Sequence, residues 1–151
     1  MRSEPRTIEE HIPKTLDEVI RLRRESFSLR LSSPDELVAL SAETLEDRDI
    51  AIQATIDNWH LICLTYTKAA NMAPQLTHFL LGVNREADCA WMTSAVNAID
   101  LEKGVVRTNN SLYGLGPKGE GHPDLNLILH VCHTLHKWGI GKQLGVLEVV
   151  Y

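Results

Sequence analysis

Five apolar residues, Ile52, Ile56, Trp59, Cys63 and Tyr66, follow one another at steps of four, three, four and three. In an α-helix that rhythm puts all five on one stripe, because each residue turns the chain by about 100°. The spacing predicts a long helix over residues 52–66, with Trp59 at the centre of its buried face. Asn71-Met72-Ala73-Pro74 predicts its end, since proline disfavours helical geometry in the residue before it.

Other helix signals surround this segment. Thr15-Leu16-Asp17-Glu18 and Ser33-Pro34-Asp35-Glu36 both have the form of a capping box, in which a hydroxyl and a carboxylate satisfy unpaired backbone N–H groups. They predict helices starting at residues 15 and 34, the second with proline at its first position, where the missing N–H costs nothing. That helix carries Leu37, Leu40 and Leu45, and meets the charged run Glu46-Asp47-Arg48-Asp49. A short helix over 74–81 closed by Gly82, and a helix capped by Asn84 that carries Ala87, Ala90, Trp91, Ser94, Ala98 and Leu101, follow from the same reasoning.

After Gly104 the helical period is lost. Val105-Val106-Arg107 is β-branched, and Asn109-Asn110 suits the centre of a tight hairpin, so residues 105–113 read either as one strand or as a hairpin. A Gly-rich loop over 114–121, a helix over 123–138 and a closing strand over 144–151 complete the chain. The expected fold is α+β and predominantly helical, with four to six helices and a small C-terminal β element from about 105–113 and 144–151.

Length bears on organisation, because 151 residues suffice for one core, and residues 1–151 read as one domain. Hydrophobic residues make up 44% of the chain and charged residues 23%, ordinary values for a folded domain. The net charge of −5 argues against nucleic-acid binding by bulk charge, and a 5% aromatic content is low for a base-stacking platform. No apolar run reaches the length of a membrane span or a signal peptide, so the expectation is a cytoplasmic protein without a membrane partner. Cys63, Cys89 and Cys132 are odd in number and far apart, and they read as free thiols.

Four patterns bear on chemistry. His130-Val131-Cys132-His133-Thr134-Leu135-His136 resembles a ligand cluster, yet on a helix its donors point in different directions: Cys132 and His136 share the apolar arc with Leu125 and Leu129, and His130 and His133 lie opposite. His60 and Cys63 form the other close His/Cys pair, and neither zinc-finger spacing nor His-Glu-x-x-His is present, so no metal is expected. Paired carboxylates such as Glu9-Glu10 and Glu46-Asp47 read as solvated faces. No GxSxG elbow or converging nucleophile and base is evident, and the catalytic residues stay unknown.

Gly114-Leu115-Gly116-Pro117-Lys118-Gly119 matches GxGxxG literally, but the polar segment before it is unlike a buried parallel strand, which argues against a dinucleotide fold and leaves no cofactor expected. A weaker anion site remains, with backbone N–H groups, Lys118 and the start of the following helix as donors. Its candidate ligand-binding residues are Asn109, Asn110, Tyr113, Gly116, Lys118, Gly119 and His122. Two functions are thus expected: an interaction or regulatory protein that binds rather than catalyses, or a binder of, or enzyme acting on, a small anionic or phosphorylated ligand through loop 114–122. The β-branched C-terminal strand, with an edge to cover, adds the expectation of a dimer, with a protein partner as a further candidate.

Overall fold

The computed structural model describes residues 12–43 and 51–149. The paired carboxylates Glu9-Glu10, Leu45, the charged run from Glu46 to Asp49, and the end of the expected closing strand, Val150 and Tyr151, lie outside the described residues.

The protein is mainly β, not predominantly helical. Among the described residues a 3₁₀ turn at Leu16–Glu18 precedes six strands and two α-helices. They run in the order β1 (Phe27–Leu31), α1 (Pro34–Ser41), β2 (Ile52–Tyr66), β3 (Gln75–Asn84), β4 (Cys89–Asp100), β5 (Val105–Thr108), β6 (Leu112–Leu115) and α2 (Leu125–Lys137). Neighbours in sequence pair antiparallel from β1 to β6. β6 then returns to pair in parallel with the first part of β2, so strands β2 to β6 close into a ring.

How a strand carries the Ile56-to-Trp59 step of a helical stripe is visible at Asp57–His60, where the register between β2 and β3 shifts. A bulge adds a residue to one strand and so turns a step of two into a step of three. Asn58 takes the strained position at φ 49°, a left-handed conformation that asparagine tolerates better than most residues. Ala54 and Ile56 before the bulge, and Trp59 and Leu61 after it, face the ring's interior. Ile62 and Leu64 face the other way, toward α2. With both faces covered, residues 59–63 are all buried, and the alternation that marks a one-sided strand disappears.

Similar reversals apply downstream. The expected helices over 74–81 and from 84 onward are β3 and β4, and Asn84 caps a turn between them rather than a helix, its side-chain oxygen accepting from the N–H of Glu86 and of Ala87. The segment after Gly104 is the hairpin of its two readings, with Asn109 and Asn110 in the turn between β5 and β6. No strand forms over 144–149; Leu144 and Val146 are buried, and the Leu144 carbonyl accepts from the N–H of Arg21 and of Leu22. The edge that motivated the expectation of a dimer is therefore not formed there. Thr15 precedes only the 3₁₀ turn, and its side chain caps nothing. Two helix expectations do agree: α1 begins at Pro34 with both capping-box bonds formed, and α2 spans most of 123–138.

Two cores result. The ring encloses Ile56, Leu80, Val96, Ile99, Val106 and Tyr113, with Leu37 and Leu40 of α1 packed on them. Outside the ring, α2 lays Leu127, Ile128, Val131, Cys132 and Leu135 over Leu29, Ile62, Phe79 and Leu81. Among the described residues no helix is long and apolar enough to cross a membrane.

Candidate functional site

β2 has more residues than either partner on one of its edges can cover. Its first part pairs with β6 as far as Ile56, and its last part pairs with β1 from Ile62 to Tyr66. Between them the two partners part company. β1 leaves after the Ser32 N–H donates to the Leu61 carbonyl at 2.8 Å, and the chain after β6 stays beside β2 only to Trp59. The gap is a cleft of about 350 Å³. Leu31, Pro34, Leu37, Trp59 and Leu61 give it apolar walls, and Ser32, Ser33, His60 and Lys118 give it polar atoms.

The Gly-rich loop forms one rim, in a way the glycine pattern did not anticipate. Its backbone extends the parallel pairing: Gly116 N–H donates to the Ile56 carbonyl and Gly119 N–H to the Trp59 carbonyl, both at 2.9 Å. Those two N–H groups are thereby used and are not presented to an anion. A Cβ at Gly116 would strike the Asp57 carboxylate, which Arg85 grips with two bonds of 2.7 and 3.0 Å. A Cβ at Gly119 would strike the His60 ring and Asn58. The glycines let a chain lie flat against a bulged strand; the spacing imitates a phosphate loop.

Of the expected ligand-binding residues, the structure brings Lys118 and Gly119 into the cleft. Lys118 places its ammonium 5.5 Å from the centroid of the Trp59 ring and makes no ion pair among the described residues. Gly116 sits behind the rim on Asp57, and His122 is exposed just beyond Gly121. Tyr113 is buried inside the ring, where its hydroxyl oxygen accepts from Trp91 Nε1. Asn109 and Asn110 are exposed at the far end, next to Ser111, which reaches Gln53. Seven residues of strand separate Gln53 from His60, roughly 20 Å. The start of α2 is no anion site either, because the Asp124 carboxylate already accepts from the Leu127 N–H.

His60 belongs to the site by geometry. It is 4% exposed and lines the cleft. Burial lowers its pKa, Asp124 opposes that, and the charges of Lys118 and His122 add to the lowering. The imidazole is therefore neutral at pH 7, able to accept or donate one hydrogen bond toward a ligand.

Beside the cleft lies a polar cluster that the sequence marked only in part. Arg30, Cys63 and His78 are register partners across three adjacent strands, so their side chains line up on one face. α1 covers them with Glu36, whose two oxygens accept from Arg30 at 2.7 and 2.8 Å. Glu36 is also the capping-box carboxylate, accepting from the Ser33 N–H at 2.7 Å. Arg30, first among the causes, holds its pKa down at about 2, with burial opposing. Ser32, on the cleft wall, shares a 2.7 Å hydrogen bond with His78 Nδ1. The capping box was the available signal for Glu36; Arg30, Ser32 and His78 meet only through the strand register.

The histidine-rich run on α2 fastens the C-terminal segment. His136 Nε2 donates to the Val146 carbonyl at 2.7 Å, and His133 Nδ1 to the Val149 carbonyl at 3.2 Å. Burial drives the Cys132 thiol up to about 11, which leaves it protonated in the apolar core. Comparisons of the chain with protein-family models, with curated proteins and with solved structures find no match.

Proposed function

We propose that the protein binds a small organic anion in the cleft beside Trp59, with the ligand's apolar body against Leu31, Leu37 and Leu61 and its negative group at Lys118. The observation that carries this reading is the Lys118 ammonium at the rim of an apolar cleft, with the Trp59 ring as its neighbour and no carboxylate paired to it among the described residues. A cleft of about 350 Å³ is at the lower end of the range for small-ligand pockets. Desolvation by the apolar walls strengthens a charge–charge contact made there. Ser32, Ser33 and neutral His60 supply the directional hydrogen bonds that choose among such anions.

The test uses 8-anilinonaphthalene-1-sulfonate, an apolar body with one sulfonate, whose fluorescence rises on leaving water. The native protein should bind it at one saturable site. Lys118→Ala should weaken that binding roughly tenfold, about 1.4 kcal/mol. The melting temperature should hardly move, because an exposed loop lysine contributes little to folding. Leu37→Glu should weaken binding as well. Equal affinity for native protein and both variants would remove the cleft as the ligand site.

A further inference from the structure

We infer that Glu36, Cys63 and His78 form a binding site for a divalent transition metal, zinc in the first instance, behind the wall of the cleft. This goes beyond the anion-binding reading and does not depend on it. One ligand atom from each residue lies within 4.8 Å of the other two. The donors of a tetrahedral zinc site are separated by roughly 3.3–3.8 Å, given bonds of about 2.0–2.3 Å. A side-chain adjustment on the order of 1 Å closes the set around an ion.

The three donors come from α1, β2 and β3, and each is already oriented by another group. Glu36 is held by the Arg30 fork and by the Ser33 N–H. His78 is held at Nδ1 by the Ser32 hydroxyl, 2.7 Å away. The Cys63 sulfur lies 3.9 Å from the Thr65 hydroxyl. Such outer hydrogen bonds to imidazole and carboxylate ligands are the usual supports of metal sites. These contacts leave ligation to Oε2, which accepts only from Arg30 and keeps a lone pair, whereas Oε1 already accepts from both Arg30 and the Ser33 N–H.

Donor chemistry selects the metal. A thiol, an imidazole and a single carboxylate favour zinc and its neighbours over magnesium or calcium, which take oxygen ligands. Coordination converts the Cys63 thiol to a thiolate, with the proton passing to solvent. Three protein ligands leave a fourth position for water or a small ligand, and Ser32 links the centre to the cleft wall.

The test is titration of the full chain, freed of metal by a chelator, with Co²⁺. One equivalent should produce thiolate-to-cobalt charge-transfer absorption together with the intense visible bands of tetrahedral cobalt, and Zn²⁺ should bleach both. Cys63→Ser should abolish the charge-transfer band, and His78→Gln should weaken binding at least tenfold. Cys89→Ser, which removes an exposed thiol, should change nothing. Should Cys63→Ser fail to fold, His78→Gln and Glu36→Gln decide the matter through Zn²⁺-induced rises in melting temperature, which both should reduce. The site is overturned if the native protein gives no charge-transfer band at millimolar Co²⁺, or if the band is lost in Cys89→Ser and kept in His78→Gln and Cys63→Ser.

Discussion

The two halves of β2 face the same side of the sheet with opposite chemistry. Before the bulge, Ala54 and Ile56 point into a closed ring and pack in its apolar core. Past Leu61, where β1 has replaced β6 as partner, Cys63 points at Arg30, His78 and Glu36. Closure explains the contrast. Inside the ring a polar group needs a partner within the ring, as the Tyr113 hydroxyl has in Trp91 Nε1, because an unpaired one is costly. Beyond the ring the same face is roofed by an eight-residue helix that brings its own carboxylate, so polar groups there can be satisfied. On this contrast the ring is expected to carry the stability and the extension the polar groups that could bind a ligand or metal, with the cleft at the change of partner.

If that division holds, the largest mutational cost should come from the ring. Ile56 is fully buried among residues from several strands, so Ile56→Ala should lower unfolding stability by about 2–5 kcal/mol, through lost burial and the cavity left behind. Urea denaturation followed by far-UV circular dichroism would measure it. Next comes the seam between the halves. Gly119→Ala forces a methyl group against His60 and Asn58, and overpacking of this kind costs about 1–3 kcal/mol. A Gly119→Ala variant as stable as the native protein would mean that the loop can lift off β2, and the glycine spacing would again need a ligand to explain it.

The extension should tolerate change better. Glu36→Gln removes the ion pair to a half-exposed arginine but keeps an oxygen for the Ser33 N–H, so its cost should be about 1 kcal/mol or less. The same variant should lose much of its response to Zn²⁺. A loss of stability as large as that of Ile56→Ala would make the cluster part of the scaffold and erase the contrast.

The amount of this legible in the sequence follows from which signals are local. The capping box at Ser33 and the amphipathic α2 were legible, since both depend on residues within a few positions of one another. The Asn109-Asn110 turn was legible as one of two readings for the same reason. The ring was not. At Ile56–Trp59 the bulge made a strand step like a helix, and α2 on one face with the ring interior on the other removed the alternation from 59–63. Of the expected ligand-binding residues the cleft holds Lys118 and Gly119, and His60, noted in the sequence only as half of a close His/Cys pair, lines it too. His78, Arg30 and Cys63 are separated by long stretches of sequence, and only the strand register aligns them. Conversely, the two most conspicuous motifs, the glycines and the histidines, are explained by packing against β2 and by tethering residues 146–149.

The smallest effect expected at the seam is a dependence on pH carried by His60. Its burial, reinforced by Lys118 and His122 and opposed by Asp124, makes its pKa lower in the folded protein than in the unfolded chain. Between the two values the unfolded chain binds a proton that the folded protein does not, so stability rises with pH. The contribution is complete above the unfolded value of about 6.5 and declines as the pH falls below it. His78 and His130 are shifted in the same direction, chiefly by burial, so the raw pH profile of the native protein mixes all three. Subtracting the profile of His60→Gln isolates one. Urea midpoints of native protein and variant, measured between about pH 5 and pH 8, should converge toward the acid end, because the native protein loses there what the variant never had. Parallel profiles, or native stability that grows on acidification relative to the variant, would show that His60 can be charged in place. The seam would then be as wet as the extension, and the boundary between an apolar ring and a polar annex would have to be moved from His60 toward Ile56.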